Sequence, residues 1–204
     1  MPAKPASANL ASQSAAVAAS TYGSALRGDC TDLPLADASV DGVVSSFILE
    51  HLEGDAFERF FSEMRRILKP GGRMIHYFDL ENDAPFTLWA KRQAWYGALF
   101  VDERGHHCLR SAQEWEQAFS RAGFATLRRR FSCKTWLQDL SIWSRLADPR
   151  VPGWAGLVGR TLRAINRAGN RPADALMCLY QDAVEPACPD SWASKVIWVL
   201  QSDR

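Results

Sequence analysis

The stretch Arg27–Arg73, RGDCTDLPLADASVDGVVSSFILEHLEGDAFERFFSEMRRILKPGGR, decides how the chain is read. Gly28 and Asp29 end a strand, Leu33 and Pro34 make a turn, and an acidic turn from Asp37 to Asp41 leads into the apolar run Val40 to Leu49. Val40, Val43, Val44, Phe47, Ile48 and Leu49 leave neither face polar, the pattern of a central parallel strand. Phe57, Phe60, Phe61, Met64, Ile67 and Leu68 then recur at helical spacing, with Glu58, Arg59, Glu63, Arg65 and Arg66 on the other side. Asp55 and Glu58 have capping-box spacing, Gly71 and Gly72 stop the helix, and Arg73 to Leu80 is the next strand. The order strand, helix, tight turn, strand predicts a βαβ unit of a parallel sheet.

Outward from this unit, Glu81 to Arg110 is a long aromatic connection, and connections of that length tend to carry function. Ser111 and Glu114 form a second capping box, opening a helix with Trp115, Ala118, Phe119 and Ala122 inward and Gly123 at its end. Ala125 to Trp136 is a strand, basic on its outside through Arg128, Arg129, Arg130 and Lys134. Leu137 to Ser194 reads as two or three helices, with Trp154, Leu157, Val158, Leu162 and Ile165 on the face turned to the domain and Arg160, Arg163 and Arg167 opposite. Lys195 to Gln201 is the final strand. On the amino-terminal side, residues 1–23 are a lead-in with a short alanine-rich helix, and Ser24 to Gly28 is a short strand. One domain over 1–204 is expected, divided as 1–23, a βα core over 24–136, a helical insertion over 137–194 and the strand over 195–201.

Composition narrows the partners. Hydrophobic residues are 47% and charged residues 23% of 204, ordinary for a globular chain, and a net charge of +1 argues against nucleic acid. The five cysteines (Cys30, Cys108, Cys133, Cys178 and Cys188) are scattered, without a C-x-x-C pair, so neither a disulfide framework nor a zinc cluster is expected and a cytoplasmic setting fits. No apolar run approaches the roughly 20 residues that span a bilayer. Ser12, Gln13 and Ser14 interrupt the only stretch with the flavour of a secretory leader.

The string GD-x-x-x-LP-x-x-D-x-S-x-D-x-V-x-S-x-x-x-L-x-HL, closed by LKPGG, resembles the middle of a class I S-adenosylmethionine-dependent methyltransferase of the small-molecule, type 11-like kind. In that family the Gly-Asp pair ends the third strand, S-x-D-x-V-x-S is the fourth, and KPGG leads into the fifth. The resemblance implies an α/β fold, an incomplete Rossmann-like sheet with an antiparallel final strand and a helical insertion before it. It also implies S-adenosylmethionine as cofactor and a small organic molecule as methyl acceptor. A catalytically inactive relative that serves as a binding or interaction partner is the alternative.

By the same resemblance, Gly28, Asp29 and Cys30 stand where the family holds the adenine, and Ser45, Ser46 and Phe47 stand beside the methionine moiety. His51 takes the position after the fourth strand from which an imidazole can accept a proton from a hydroxyl or amine; it equally reads as a loop histidine that packs. His106 and His107 fall in a substrate-facing segment. Trp89, Trp95 and Tyr96 either line an apolar substrate pocket or belong to the core. His106 and His107 have no third ligand at useful spacing, so no metal is expected.

The family's glycine-rich turn and ribose-binding acid have no counterpart in the 204 residues. Gly153, Gly156 and Gly159 follow no strand and read as helix-packing or loop glycines. With half a pocket the chain is expected to bind S-adenosylmethionine weakly or not at all. The edge of the Val40 strand is expected to be covered by the Ser24 strand, by a partner chain or by a second copy.

Overall fold

The computed structural model describes residues 28–136, 140–167, 179–180 and 182–203. The lead-in, the short helix, Ser24 to Arg27 of the first expected strand, Cys178 and residues 168–178 of the insertion lie outside them. Four strands form one sheet: β1 (Val40–Ser46), β2 (Leu68–Asp79), β3 (Phe124–Ser132) and β4 (Lys195–Ser202), in the spatial order β1-β2-β4-β3. β1 is parallel to β2, and β4 runs antiparallel between β2 and β3. The predicted βαβ unit and antiparallel final strand are both present.

The crossover is helix α1 (Ala56–Ile67). Its Phe57, Phe60, Phe61, Met64 and Ile67 are all buried against Met74 and Phe78 of β2 and Val196, Trp198 and Leu200 of β4. Helix α3 (Ala112–Arg121) adds Trp115, Ala118 and Phe119 to the same core. Each such side chain is worth about 1.5–3 kcal/mol when fully buried, so this face of the sheet is where the fold is held. The Ser111–Glu114 capping box forms in full, and α3 ends at Gly123, whose φ of +79° favours glycine.

Several expectations are corrected. β1 is the edge strand of the described sheet, not a strand buried on both faces: Val44 is 77% exposed. Val44 lies opposite Ile75, and Ile197 opposite Tyr77, on a sheet face that no described helix of the main core covers. The Asp55–Glu58 capping box is absent. Asp55 already has helical backbone (φ −77°, ψ −12°), from which its carboxylate cannot reach the first-turn amides, and it stands 3.7 Å from Arg59 instead.

The α1 helix stops at Ile67 and not at the glycines. Leu68 is extended, and Lys69 to Gly72 bulge out between the Val40–Leu68 and Gly42–Arg73 pairs. Glu63, expected on the solvent side, is buried, because it accepts the Leu33 amide at 2.6 Å and pairs with Arg66 at 2.7 Å. Lys134 is also buried, with its ammonium on Asp190 at 2.6 Å and the Cys188 carbonyl at 3.0 Å.

The long connection after β2 holds α2 (Pro85–Ala90), a π-helical turn (Gly97–Val101) and a 3-10 turn (Asp102–Arg104). With α4 (Leu140–Leu146) and α5 (Gly153–Arg167) it builds a second core around Ala90, Trp95, Leu99, Leu146, Val151 and Ala155. The insertion is helical where described, yet α5 packs by the adjacent stripe of Ala155, Gly156 and Gly159, with Val158 and Leu162 of the expected face half-buried at its border. Trp154 and Leu157 are 55% and 62% exposed, and Ile165 is exposed too. Gly156 and Gly159 face α4 and its following turn so closely that a Cβ on Gly159 would stand 2.4 Å from the Leu146 carbonyl carbon. A small-residue seam lets the backbones meet, which confirms these two as packing glycines.

Candidate functional site

The carboxyl ends of β1 and β2 carry the site. At the end of β1, Phe47 has φ +55°, a left-handed backbone that a bulky residue adopts only under strain, and its amide donates to the Tyr77 carbonyl at 2.7 Å. This bend turns the chain into the 3-10 turn Leu49–His51. His51 is exposed, its Nδ1 lies 3.0 Å from the Gly105 carbonyl, and its ring meets that of His106 at 4.9 Å. A carbonyl only accepts, so Nδ1 of His51 carries the proton and Nε2 keeps the lone pair.

His106 is buried with Asp79, the last residue of β2, whose Oδ2 stands 3.5 Å from its Nδ1. Arg104 and Lys195 also approach Asp79, at 3.5 and 3.8 Å. Burial, then the charge of Arg104, brings the His106 pKa down to about 4, so the ring is neutral near pH 7. Glu50 is fully buried beside them, and neither of its carboxylate oxygens has a hydrogen bond of good geometry among the described residues. Burial pushes the Glu50 carboxyl above its ordinary range. Glu50, His51 and His106 each present a ligand atom within 4.8 Å of the others.

The adenine-side residues lie in the loop before β1. Asp29 is exposed, its Oδ1 accepting from the amide and hydroxyl of Thr31, both at 2.8 Å, and these bonds hold its carboxyl below the usual range. Cys30 is half-buried against the main core, where burial raises its thiol. Gly28 precedes them, exposed. Arg66 fastens the loop that follows to α1 through the carbonyls of Leu33 and Leu35 at 3.0 and 2.6 Å.

On β1, Ser45 turns inward, its hydroxyl 2.5 Å from Nδ1 of the buried His76, while Ser46 is exposed. Trp89, Trp95 and Tyr96 belong to the second core, Trp89 packing on Trp154 at 4.9 Å. Tyr96 also lines a small cavity of about 70 Å³ with Asp79, Arg104 and His106. A larger cavity of about 590 Å³ opens on the far side of Leu80 and Glu81, bounded by Ser111, Glu116 and Arg129.

The structure thus brings His51 and His106 together and leaves His107 exposed outside the cluster. Glu50, Asp79 and Arg104 were missed in the sequence. Glu50 reads as a loop residue after an apolar run, and nothing local shows that a segment 54 residues later closes over it.

Comparison with known proteins agrees with the resemblance. Residues 4–76 match the methyltransferase domain family, so the match reaches back into the amino-terminal segment. The biotin biosynthesis bifunctional protein BioHC of Teredinibacter turnerae is 42% identical over 79 residues, 39% of this chain and 12% of that protein. The malonyl-[acyl-carrier protein] O-methyltransferase of Methylococcus capsulatus is 35% identical over 102 residues, 50% of this chain and 34% of that protein. The chain therefore spans about a third or less of these relatives. The crystal structure of the [4+2]-cyclase SpnF superposes with a TM-score of 0.51 at 16% identity, covering 92% of this chain and 60% of that one, a likeness of fold.

Proposed function

We propose that this chain, related to the class I S-adenosylmethionine-dependent methyltransferases by its fold and by residues 4–76, takes part in methyl transfer to a small organic acceptor. S-adenosylmethionine is the cofactor of that family. The sulfonium methyl is already activated, so the protein's task is to align an acceptor atom behind it and to receive the acceptor's proton. Gly28, Asp29 and Cys30 contact the adenine; Ser46 and Phe47, with the backbone of Ser45, contact the methionine moiety. His51 takes the proton on Nε2, the nitrogen left free by its Gly105 contact. Tyr96 and His106 bound the acceptor side, with His107 at its rim and Trp89 and Trp95 as the packing behind them.

The observation that supports this reading most is the strained Phe47 bend, which sets the His51 turn at the sheet's carboxyl edge. A second reading, a methyltransferase-like domain used only for binding, is favoured by the inward turn of the Ser45 hydroxyl, which removes one polar contact from the cofactor side. A cytoplasmic setting is part of the proposal, supported by Cys30, Cys108 and Cys188 as free thiols. No described helix is long and apolar enough to cross a membrane.

Amide chemical-shift mapping with S-adenosylhomocysteine tests the placement. Shifts are expected at Cys30, Ser46 and Phe47 and should shrink in Asp29→Ala. Shifts confined to the Ser111–Arg129 cavity would contradict it.

A further inference from the structure

We propose that Glu50, His51 and His106 hold a divalent first-row transition cation. The first ground is the donor set: two imidazoles and one carboxylate with ligand atoms within 4.8 Å of one another. Bonds of about 2.0–2.2 Å draw such ligands to roughly 3–4 Å apart, a closure that side-chain rotation supplies.

The second ground is Glu50 itself. Its side chain is fully buried, and neither oxygen has a hydrogen bond of good geometry among the described residues, the backbone N–H groups of Glu50 and Asp79 giving it only weak support. A buried carboxylate so weakly supported is costly and rare, and a cation among these three groups would satisfy both oxygens' demand for positive charge.

The third ground is the outer contacts. Metal-bound histidines donate their second ring N–H to a carbonyl or carboxylate, which fixes the tautomer and aims the lone pair. His51 has its Nδ1 on the Gly105 carbonyl at 3.0 Å, and His106 has its Nδ1 3.5 Å from Asp79 Oδ2. In His51 this leaves Nε2 as the donor nitrogen, and in His106 it turns Nδ1 toward Asp79. Arg104 and Lys195, which would repel a cation, are drawn instead to Asp79.

Imidazole with carboxylate suits zinc, cobalt, iron or manganese better than magnesium or calcium. Three protein ligands leave an open position, which a hydroxyl or carboxylate oxygen of a small molecule would take. The cation and a proton compete for Nε2 of His51, so a loaded site excludes His51 as proton acceptor. Metal loading therefore competes with the proton-acceptor role of His51, and its readout, which involves neither cofactor nor acceptor, is independent of methyl transfer.

The test is a Co²⁺ titration of the tag-free, chelator-stripped chain, followed by visible absorption and by displacement with Zn²⁺. One equivalent should bind. His51→Ala and Glu50→Gln should each weaken binding at least tenfold, whereas His107→Ala, next in sequence but outside the cluster, should leave it unchanged. His51 is exposed, so its variant remains informative even if Glu50→Gln fails to fold. Absence of saturable binding, wild-type binding by His51→Ala, or a loss in His107→Ala equal to that in His106→Ala would each overturn the proposal.

Discussion

His76 sits on the core face of β2, fully buried between Phe60 and Phe61, with Ser45 as its contact at the Nδ1 atom. Burial lowers its pKa from 6.5 to about 4, so the native protein keeps it neutral where the unfolded chain would protonate it. Its stabilising contribution is complete above pH 6.5 and is lost as the pH falls toward 4. A shift of that size corresponds to roughly 3 kcal/mol. Urea unfolding between pH 7 and 4.5 should therefore show a steep acid loss that His76→Gln flattens, and an equal loss in both proteins would contradict this. Other single residues were readable only in part. The histidine after the fourth strand stood out in the sequence, but its alignment on Gly105 and the burial of Glu50 depend on a contact across 54 residues.

Helix α1 was legible because apolar residues at period 3.6 with charges between them admit one packing solution, and the structure adopts it. Helix α5 misled because large apolar residues normally mark the buried stripe. Here glycine and alanine make the contact, and close backbone approach outweighs the burial of Trp154 and Leu157. Gly159→Ala should destabilise the second core by about 3 kcal/mol, since the added methyl meets backbone that cannot rotate away. Leu157→Lys should change stability by no more than about 0.5 kcal/mol. Thermal unfolding of the two variants checks both, and the reverse order would restore the face expected from the sequence. The capping boxes divide in the same way. Ser111 has the extended backbone that aims its oxygen at the first-turn amides, and Asp55 does not, a difference of ψ that spacing alone does not reveal.

At the scale of the molecule, the sheet is held by helices on one face, while Val44, Ile75 and Ile197 remain exposed on the other and β1 lies at the edge of the described strands. Apolar edges of this kind associate. We expect β1 to be covered either by the Ser24 segment, which lies outside the described residues, or by a second copy; a concentration-dependent dimer that Val44→Lys abolishes in sedimentation equilibrium would show the second, and a monomer with rapidly exchanging β1 amides would contradict both. The crossover helix and its two parallel strands followed from the motif string, and the antiparallel final strand from the family resemblance; the spatial order β1-β2-β4-β3 is legible only in the structure. The outward face of β1 did not follow from the string, because its apolar run is the same whether a neighbour covers it or not.

We propose that these 204 residues carry the adenine and methionine side of a cofactor site without a glycine-rich turn or a ribose-binding acid. Each missing charge-assisted hydrogen bond is worth on the order of 1.5–3 kcal/mol, and about 1.4 kcal/mol is tenfold in affinity. Together these losses weaken a micromolar site by roughly a hundredfold or more. Titration calorimetry of this chain with S-adenosylhomocysteine reads that directly. A dissociation constant weaker than about 100 μM, or no measurable heat, is expected on that scale. Micromolar binding that Asp29→Ala abolishes would contradict the half-site and establish a complete one.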